Sequence, residues 1–187
     1  MRFKTLSFLI MFSTISVFAQ NEINFGVKGG INGTGFHVVT SAGTDRIGIN
    51  VGGIAEYQLN DSFSLQSELL YNSRGGKLAA YDLFLNAYLD YLDVPLQVKY
   101  YFIKKMSFDF GTQFGILINS KAELYSGEKV ELIGVKDFDF SINGGFSYKF
   151  ENNLIIQSRY NFGLSEIFEN ERFKTSMISL SLGYYFN

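Results

Sequence analysis

Residues 138–150 read FDFSINGGFSYKF, and this stretch decides the fold. Apart from Gly144, large apolar residues occupy every second position, and the positions between them are mostly polar. Successive side chains of a β-strand point to opposite faces, so this pattern predicts a strand with one apolar and one polar face. Seven further segments alternate in the same way. The eight predicted strands are 22–33, 46–58, 63–74, 88–102, 106–118, 138–150, 153–165 and 175–186.

The connections between these strands alternate in length. Three are short polar turns, at 59–62, 103–105 and 151–152. Four are longer loops, at 34–45, 75–87, 119–137 and 166–174. Each predicted strand is long enough to cross a bilayer at a tilt, which takes about 9–11 residues. Short turns on one side and long loops on the other are typical of outer-membrane barrels, whose short turns face the periplasm. Both termini are then expected on the periplasmic side.

The composition narrows the class of protein. The 187 residues fit one domain and include no cysteine, one histidine, 20 Phe, 12 Tyr, 19 Gly and one Pro. Without cysteine there is no disulfide framework, and a single histidine excludes a multi-histidine metal site. The net charge of −2 offers no basic surface to nucleic acid. We therefore expect no metal or other cofactor and no nucleic-acid partner.

The first 19 residues have the organisation of a secretory signal peptide. Arg2 and Lys4 precede an apolar run over residues 6–18, and residues 17–19 (Val-Phe-Ala) fit the small-residue rule at a cleavage site. The alternative is an uncleaved membrane anchor. The run is shorter than the roughly 20 residues that a membrane-spanning helix takes, which favours cleavage. Cleavage after Ala19 would leave residues 20–187 as a single outer-membrane β-barrel domain.

The direction of the apolar face distinguishes two kinds of eight-stranded barrel. A soluble, lipocalin-like barrel turns this face inward around a ligand cavity, whereas an outer-membrane barrel turns it to lipid and keeps the polar face in the lumen. Small residues on the polar face suit a narrow lumen. These are Gly26, Gly30, Gly48, Gly52, Gly111, Gly115, Gly145, Gly163 and Gly183.

Aromatic residues near the strand ends of the apolar face support the same choice. They resemble the two interfacial girdles of a membrane barrel, with Tyr57 and Phe102 at the turn side and Tyr71 and Phe162 at the loop side. The sequence thus predicts an all-β chain forming an eight-stranded antiparallel up-and-down transmembrane β-barrel of the bacterial outer membrane.

The polar face also carries a balanced set of five cations and five anions. They are Lys28, Arg74, Lys99, Lys149, Arg159, Glu56, Glu68, Asp93, Asp109 and Asp139. An unpaired buried charge costs several kcal/mol, so a packed lumen would need such a balance to form an ion-pair network. If the tight turn pairs Phe102 with Met106, Lys99 lies opposite Asp109 and close enough to interact. The alternative is that these are solvated charges on an ordinary sheet.

A few residues depart from the alternation. Asp90 falls on the lipid-facing side, at a height expected to lie above the membrane. Pro95 cannot donate to the ladder, which predicts a bulge or a local break near it. Five aliphatic residues point inward, namely Ile54, Leu70, Leu89, Leu117 and Ile155.

Two segments carry a resemblance to a known family. Residues 63–76, FSLQSELLYNSRGG, and residues 91–102, YLDVPLQVKYYF, resemble the small outer-membrane β-barrel family often labelled "porin family protein" or PorT-like barrel. The resemblance implies a Tyr-Leu-x-x-Pro-Leu strand in which Pro95 has a regular place. The last strand, at 175–186, is similar to the C-terminal signal that the outer-membrane assembly machinery reads. Outer-membrane lipid and, during biogenesis, that machinery are the implied partners.

The sequence favours a non-enzymatic envelope protein. Eight strands leave an interior only wide enough for side chains, so the charged loops at 119–137 and 166–174 would bind any protein or glycan partner. The alternative, favoured for any individual loop, is that its charges are simply solvated. A second hypothesis is a lipid-modifying enzyme in which His37 activates Ser41 and Asp45 orients the imidazole. A third is a narrow channel. An accessory role in secretion is implied by the PorT-like resemblance alone.

Overall fold

The computed structural model describes residues 23–37, 46–80, 83–123, 127–168 and 173–186. These residues form nine strands, which are β1 (Ile23–His37), β2 (Arg46–Gln58), β3 (Phe63–Ala80), β4 (Leu83–Ile103), β5 (Met106–Glu123), β6 (Lys129–Glu131), β7 (Phe138–Lys149), β8 (Leu154–Gly163) and β9 (Lys174–Tyr185). Within these ranges no helix is long and apolar enough to cross a membrane.

Eight of the strands form one closed antiparallel barrel. From β1 to β5 each strand pairs with the next, β5 pairs with β7, and β7, β8 and β9 follow in order. β9 pairs with β1 from Gly26↔Tyr185 to His37↔Lys174, which closes the ring. The short β6 pairs with the end of β5 and stands outside the ring. The predicted eight-stranded barrel is confirmed, and β6 is an addition inside the loop predicted at 119–137.

Four strands extend several residues further on the loop side than the polarity pattern predicted. β1 runs to His37, into the loop predicted at 34–45. β3 runs to Ala80, β4 begins at Leu83 and β5 runs to Glu123, so much of the loop predicted at 75–87 is strand. Pairing between β3 and β4 continues through this extension without a shift. Above the bilayer, neither face of a hairpin has to be apolar. The polarity alternation that predicts a strand is therefore lost there, although the hydrogen bonds between the strands continue.

Pro95 lies inside β4 and interrupts its ladder with β3. Leu96 and Asp93 pair with β3 in one register, while the two positions between them carry no pair in this described stretch. Proline has no N–H to donate, which accounts for the break. The nearby register shift, on the β5 side of the strand, lies between Asp90 and Tyr91.

The apolar face of the barrel points outward. Ile31, Phe110 and Leu182 are 58%, 59% and 62% exposed, whereas Asp93 and Lys99 on the other face are completely buried. A soluble barrel would show the reverse, so the lipocalin-like alternative is excluded. The outward aliphatic and aromatic side chains of the eight long strands are called the apolar belt below, and lipid is the solvent they fit.

Inward-facing glycines allow neighbouring strands to approach where the wall curves. A Cβ at Gly52 would lie 1.9 Å from the carbonyl oxygen of Leu69, and one at Gly30 would lie 2.2 Å from that of Leu180. On the lipid face, a Cβ at Gly53 would stay 3.9 Å from its nearest neighbour. Glycine at these two inner positions is therefore required by contact with the neighbouring backbone, and not only by the narrowness of the lumen.

Candidate functional site

The lumen holds three layers of buried polar side chains, and the turn-side layer surrounds Glu56. Ser64 Oγ and the Tyr101 hydroxyl donate to the Glu56 carboxylate at 2.6 and 2.5 Å, and Lys99 Nζ donates to it at 3.2 Å. The Tyr185 hydroxyl donates to it as well. Four donors from β3, β4 and β9 therefore converge on one carboxylate of β2, which is the arrangement that a buried charge requires.

The central layer joins one carboxylate to two cations. Lys28 Nζ lies 2.9 Å from the Glu68 carboxylate, and the Arg159 guanidinium donates to both of its oxygens, in one case at 3.0 Å. Gln157 Oε1 accepts a hydrogen bond from Lys28 at 2.6 Å. Two parallel bonds from one guanidinium are the strong form of the arginine–carboxylate pair. This layer links β1, β3 and β8 across the lumen.

The loop-side layer is centred on a cation. Arg74 forms ion pairs with Asp93 and Asp139, the second at 2.6 Å. Asn72 donates to Asp93 at 2.5 Å, and Ser165 Oγ donates to Asp139 at 2.7 Å. Because Ser165 follows the end of β8, this layer also fixes the start of the β8–β9 loop.

Lys99 and Asp109 face each other in the register of β4 and β5. The lysine ammonium nevertheless forms its ion pair with Glu56, two strands away on β2. Asp109 accepts hydrogen bonds from neutral donors, among them Ser107 at 2.6 Å and Gln157 at 2.7 Å. The flexible lysine stem thus reaches the carboxylate of Glu56, which has no other cation paired with it among the described residues, while neutral groups satisfy Asp109.

An apolar plug covers the loop-side layer. Its buried members are Ala87, Leu89, Tyr91, Ile167 and Phe168, and Leu117, Leu132, Val135 and Phe173 pack against them. The Tyr91 ring lies over the Arg74 guanidinium, 4.6 Å from ring centroid to Cζ. The plug thus joins strand residues of β4 to residues of two loops, and it closes the lumen on the loop side.

The structure places all ten charged residues expected in the lumen on the inward face. Nine of them are buried, and Lys149 is half-buried with its ammonium 4.9 Å from the centroid of the Tyr185 ring. Of the aliphatic residues expected to point inward, all but Leu117 are fully buried, and Leu117 is partly buried against the plug.

Sequence reasoning missed the aromatic part of the interior. Tyr101 and Tyr185 donate to Glu56, and Tyr91 belongs to the plug. The signal is present in the alternation, because Tyr185 falls on the polar side of β9 while Tyr184 falls on the apolar side. The girdle interpretation assigns aromatic residues to the lipid face alone and therefore leaves these three out.

The outer surface of the loop-side extension holds a tyrosine between two cations. Arg46 Cζ and Lys129 Nζ lie 4.2 and 4.9 Å from the centroid of the Tyr88 ring. The Tyr88 hydroxyl donates to Glu123. Cations stack favourably on an aromatic face, so this contact ties β6 to the outer side of β4.

The short turns carry an exposed ion pair. Lys105 Nζ donates to Glu151 at 2.6 Å. This hydrogen bond lowers the pKa of Glu151 and raises the pKa of Lys105. Since both side chains lie in water, the pair is a local feature of the turn-side edge and does not support the barrel wall.

The residues of the catalytic hypothesis lie largely outside the described residues. His37 ends β1, where its backbone pairs with that of Lys174, while Ser41 and Asp45 are not described. The predicted signal peptide at 1–19 is also outside the described residues. Among the residues that are described, no group of three or more His, Cys, Asp or Glu is placed to hold a metal ion.

Comparison with known proteins extends these observations. A family model described as "Outer membrane protein beta-barrel domain" matches residues 18–169. Ail, the attachment invasion locus protein of Yersinia pestis, is similar in structure with a TM-score of 0.55 at 15% identity, over 88% of this chain and 99% of Ail. Neisserial surface protein A (NspA) gives a TM-score of 0.57 at 14% identity, over 87% of this chain and 97% of NspA. At such identity the likeness shows the fold alone. No curated protein matches the sequence.

Proposed function

This chain belongs to the family of outer membrane protein beta-barrel domains, and we propose that it is a closed, non-enzymatic barrel that binds partners through its cell-surface loops. The observation that carries this proposal is the filling of the lumen. Three layers of buried polar contacts link opposite walls, and the plug covers the layer nearest the loops. An ion crossing this interior would have to displace buried pairs, at several kcal/mol each.

The loops are the surface that remains for binding. Outside the plug they present Lys121, Lys129, Glu131, Lys136 and Glu166, so both signs of charge are available. A surface with both signs of charge suits a polar protein or glycan better than a uniformly charged polymer. Such a polymer would place some of its charges against loop charges of the same sign, which opposes binding. The lipid around the apolar belt is the second partner, and the assembly machinery that reads the last strand is the third.

Conductance tests the closed lumen. We expect the purified barrel in planar bilayers to give no unitary current steps above the lipid background. A stable open pore would overturn the proposal and revive the channel hypothesis. Substituting Lys99 or Asp109 would then identify whether the current passes through the lumen.

Binding by the loops needs a separate measurement. Ail has been crystallised with the heparin analogue sucrose octasulfate. This uniformly anionic compound is the probe expected to bind weakly here, beside arrays of glycans and surface proteins. Any ligand found should bind the Lys121→Glu/Lys129→Glu variant in lipid nanodiscs differently from wild type. Lys104→Glu, on the opposite side of the barrel, is the matched control. Equal changes in both variants would count against the loops.

Orientation and processing are part of the same proposal. We propose that residues 1–19 are removed and that both termini face the periplasm, which N-terminal sequencing and a protease-sensitive C-terminal tag in intact cells would test. An unchanged lipid profile in a His37→Ala strain would remove the enzyme hypothesis. A role in secretion rests on the PorT-like resemblance, and an unchanged set of secreted proteins in a deletion strain would remove it.

A further inference from the structure

The connection between β6 and β7 carries the most exposed large apolar side chain among the described residues. Ile133 is 89% exposed, in a turn that Gly134 completes with φ of 79°. A single exposed aliphatic residue needs no explanation on a surface that meets water. Whether Ile133 contacts water or lipid depends on its height on the barrel.

The residues just before Ile133 indicate its height on the barrel and its direction. Glu131 is the last residue paired with β5, and Leu132 N then donates to the Ser120 carbonyl at 3.4 Å. Leu132 packs inward against the plug. Ile133 follows in the turn, and its high exposure shows that its side chain points away from the plug. The register of β6, continued by two residues, places it level with Asn119 on β5.

The apolar belt ends at this same height. Ile118 of β5 is 54% exposed, and Asn119 is the first polar side chain above it. Leu117 N donates to the Asp137 carbonyl at 2.7 Å, which holds the β6–β7 connection down against β5. Phe138, 53% exposed, then begins β7 within the belt. Ile133 thus stands at the upper edge of the belt, between the exposed apolar residues of β5 and β7.

We infer that the β6–β7 connection rests on the lipid of the outer leaflet and inserts Ile133 at the boundary between acyl chains and headgroups. Lipid is the occupant because this position continues the belt, and apolar side chains are stabilised at that depth while neighbouring lysine and glutamate stay among the headgroups. With Leu132 in the plug and Ile133 in lipid, the connection is held from both sides. This lipid contact would form whenever the barrel is in its membrane, whether or not the loops bind a partner.

Single labels test this directly, because the chain has no cysteine of its own. An environment-sensitive fluorophore would be attached to Ile133→Cys, to Glu131→Cys two residues nearer the loop tips, and to Ile142→Cys within the belt, which is 45% exposed. Each barrel would be folded into phosphatidylcholine vesicles, with or without lipids that carry a nitroxide at the headgroup or along the acyl chain. The gel-mobility shift on boiling in detergent would show that each variant is folded.

We expect the label at 133 to emit at shorter wavelength than the label at 131 and to be quenched more strongly by the headgroup nitroxide. The label at 142 should be quenched most by the acyl-chain nitroxide. Equal emission and quenching at 133 and 131 would overturn the inference. So would a response at 133 that appears only as the ratio of protein to lipid rises, because that would indicate a second copy in place of lipid.

A second measurement avoids any bias from the fluorophore. Ile133→Asp should increase hydrogen exchange of the β6 amides in vesicles, whereas Ile133→Leu should leave it as in the wild type. Equal exchange in the two variants would contradict the lipid contact even if both barrels fold.

Discussion

Replacing Glu68 with glutamine tests whether the buried pairs hold the barrel together. The Glu68 side chain is completely buried between Lys28 at 2.9 Å and the fork of Arg159. Glutamine has nearly the same size, so no cavity forms; the change removes the negative charge and turns one acceptor oxygen into an NH2 donor that faces other donors. Two cations of the central layer would then share a low-dielectric interior without their counter-charge.

The expected loss is large for a single substitution. Removing one partner of a buried ion pair costs about 3–5 kcal/mol, and Glu68 serves two cations, so a value toward the upper end is expected. That corresponds to a decrease of about a thousandfold or more in the folding equilibrium constant. Glu68→Leu combined with Lys28→Met and Arg159→Met should recover much of the loss, because an apolar replacement of a whole buried set is often neutral.

The assay is urea unfolding of the barrel in lipid vesicles, followed by gel mobility and tyrosine fluorescence. Glu151→Gln is the matched control, since it makes the same chemical change in the exposed pair with Lys105 and should leave the midpoint unchanged. If Glu68→Gln and Glu151→Gln unfold at the same urea concentration as wild type, the lumen pairs do not stabilise the barrel and the reasoning fails.

Three further outcomes are expected in different parts of the molecule. Gly52→Ala should reduce the folded fraction in the gel-mobility assay, because its Cβ would lie 1.9 Å from a backbone oxygen, whereas Gly53→Ala, with 3.9 Å of clearance, should fold as wild type. Leu89→Ala in the plug should destabilise the barrel by about 2–5 kcal/mol. It should still give no current in planar bilayers, because the three polar layers continue to fill the lumen. A current in this variant would show that the polar layers alone do not close the lumen. Lys105→Ala should raise the pKa of Glu151 in an NMR titration of its carboxyl carbon, because it removes the hydrogen bond that lowers it. The contribution of that exposed pair to stability, too small to move the urea midpoint, is present above the unfolded pKa of Glu151 and is lost as pH falls through its lower folded pKa.

The barrel itself could be predicted because lipid outside and a narrow interior impose a strict alternation on every strand. In β9, Leu180 and Leu182 point to lipid and Ser181 points inward, and each could be placed from its position alone. The prediction failed where that constraint ends. Above the bilayer β3 and β4 remain paired as far as Ala80 and Leu83, but nothing requires their faces to alternate there.

The partners within the lumen could not be predicted in the same way. Alternation places Glu68 and Arg159 on the inward face, but they lie 91 residues apart, and their meeting depends on how the closed ring aligns β3 with β8. Local pairing gave Lys99 the neighbour Asp109, whereas the ion pair crosses to Glu56. A strand pattern therefore predicts which residues enter the lumen, and barrel closure decides which of them meet.

The plug connects this interior to the surface that would meet a partner. Ile167 and Leu132 come from loops, yet both pack against β4 residues such as Leu89 inside the barrel wall. Loops held by buried contacts present a fixed surface and lose less conformational entropy on binding than free loops would. Leu132→Ala should therefore weaken the binding of any loop ligand although Leu132 packs beneath that surface, with the loss appearing mainly in the entropy measured by calorimetry. Unchanged affinity and entropy in that variant would show that the loops present their surface independently of the plug.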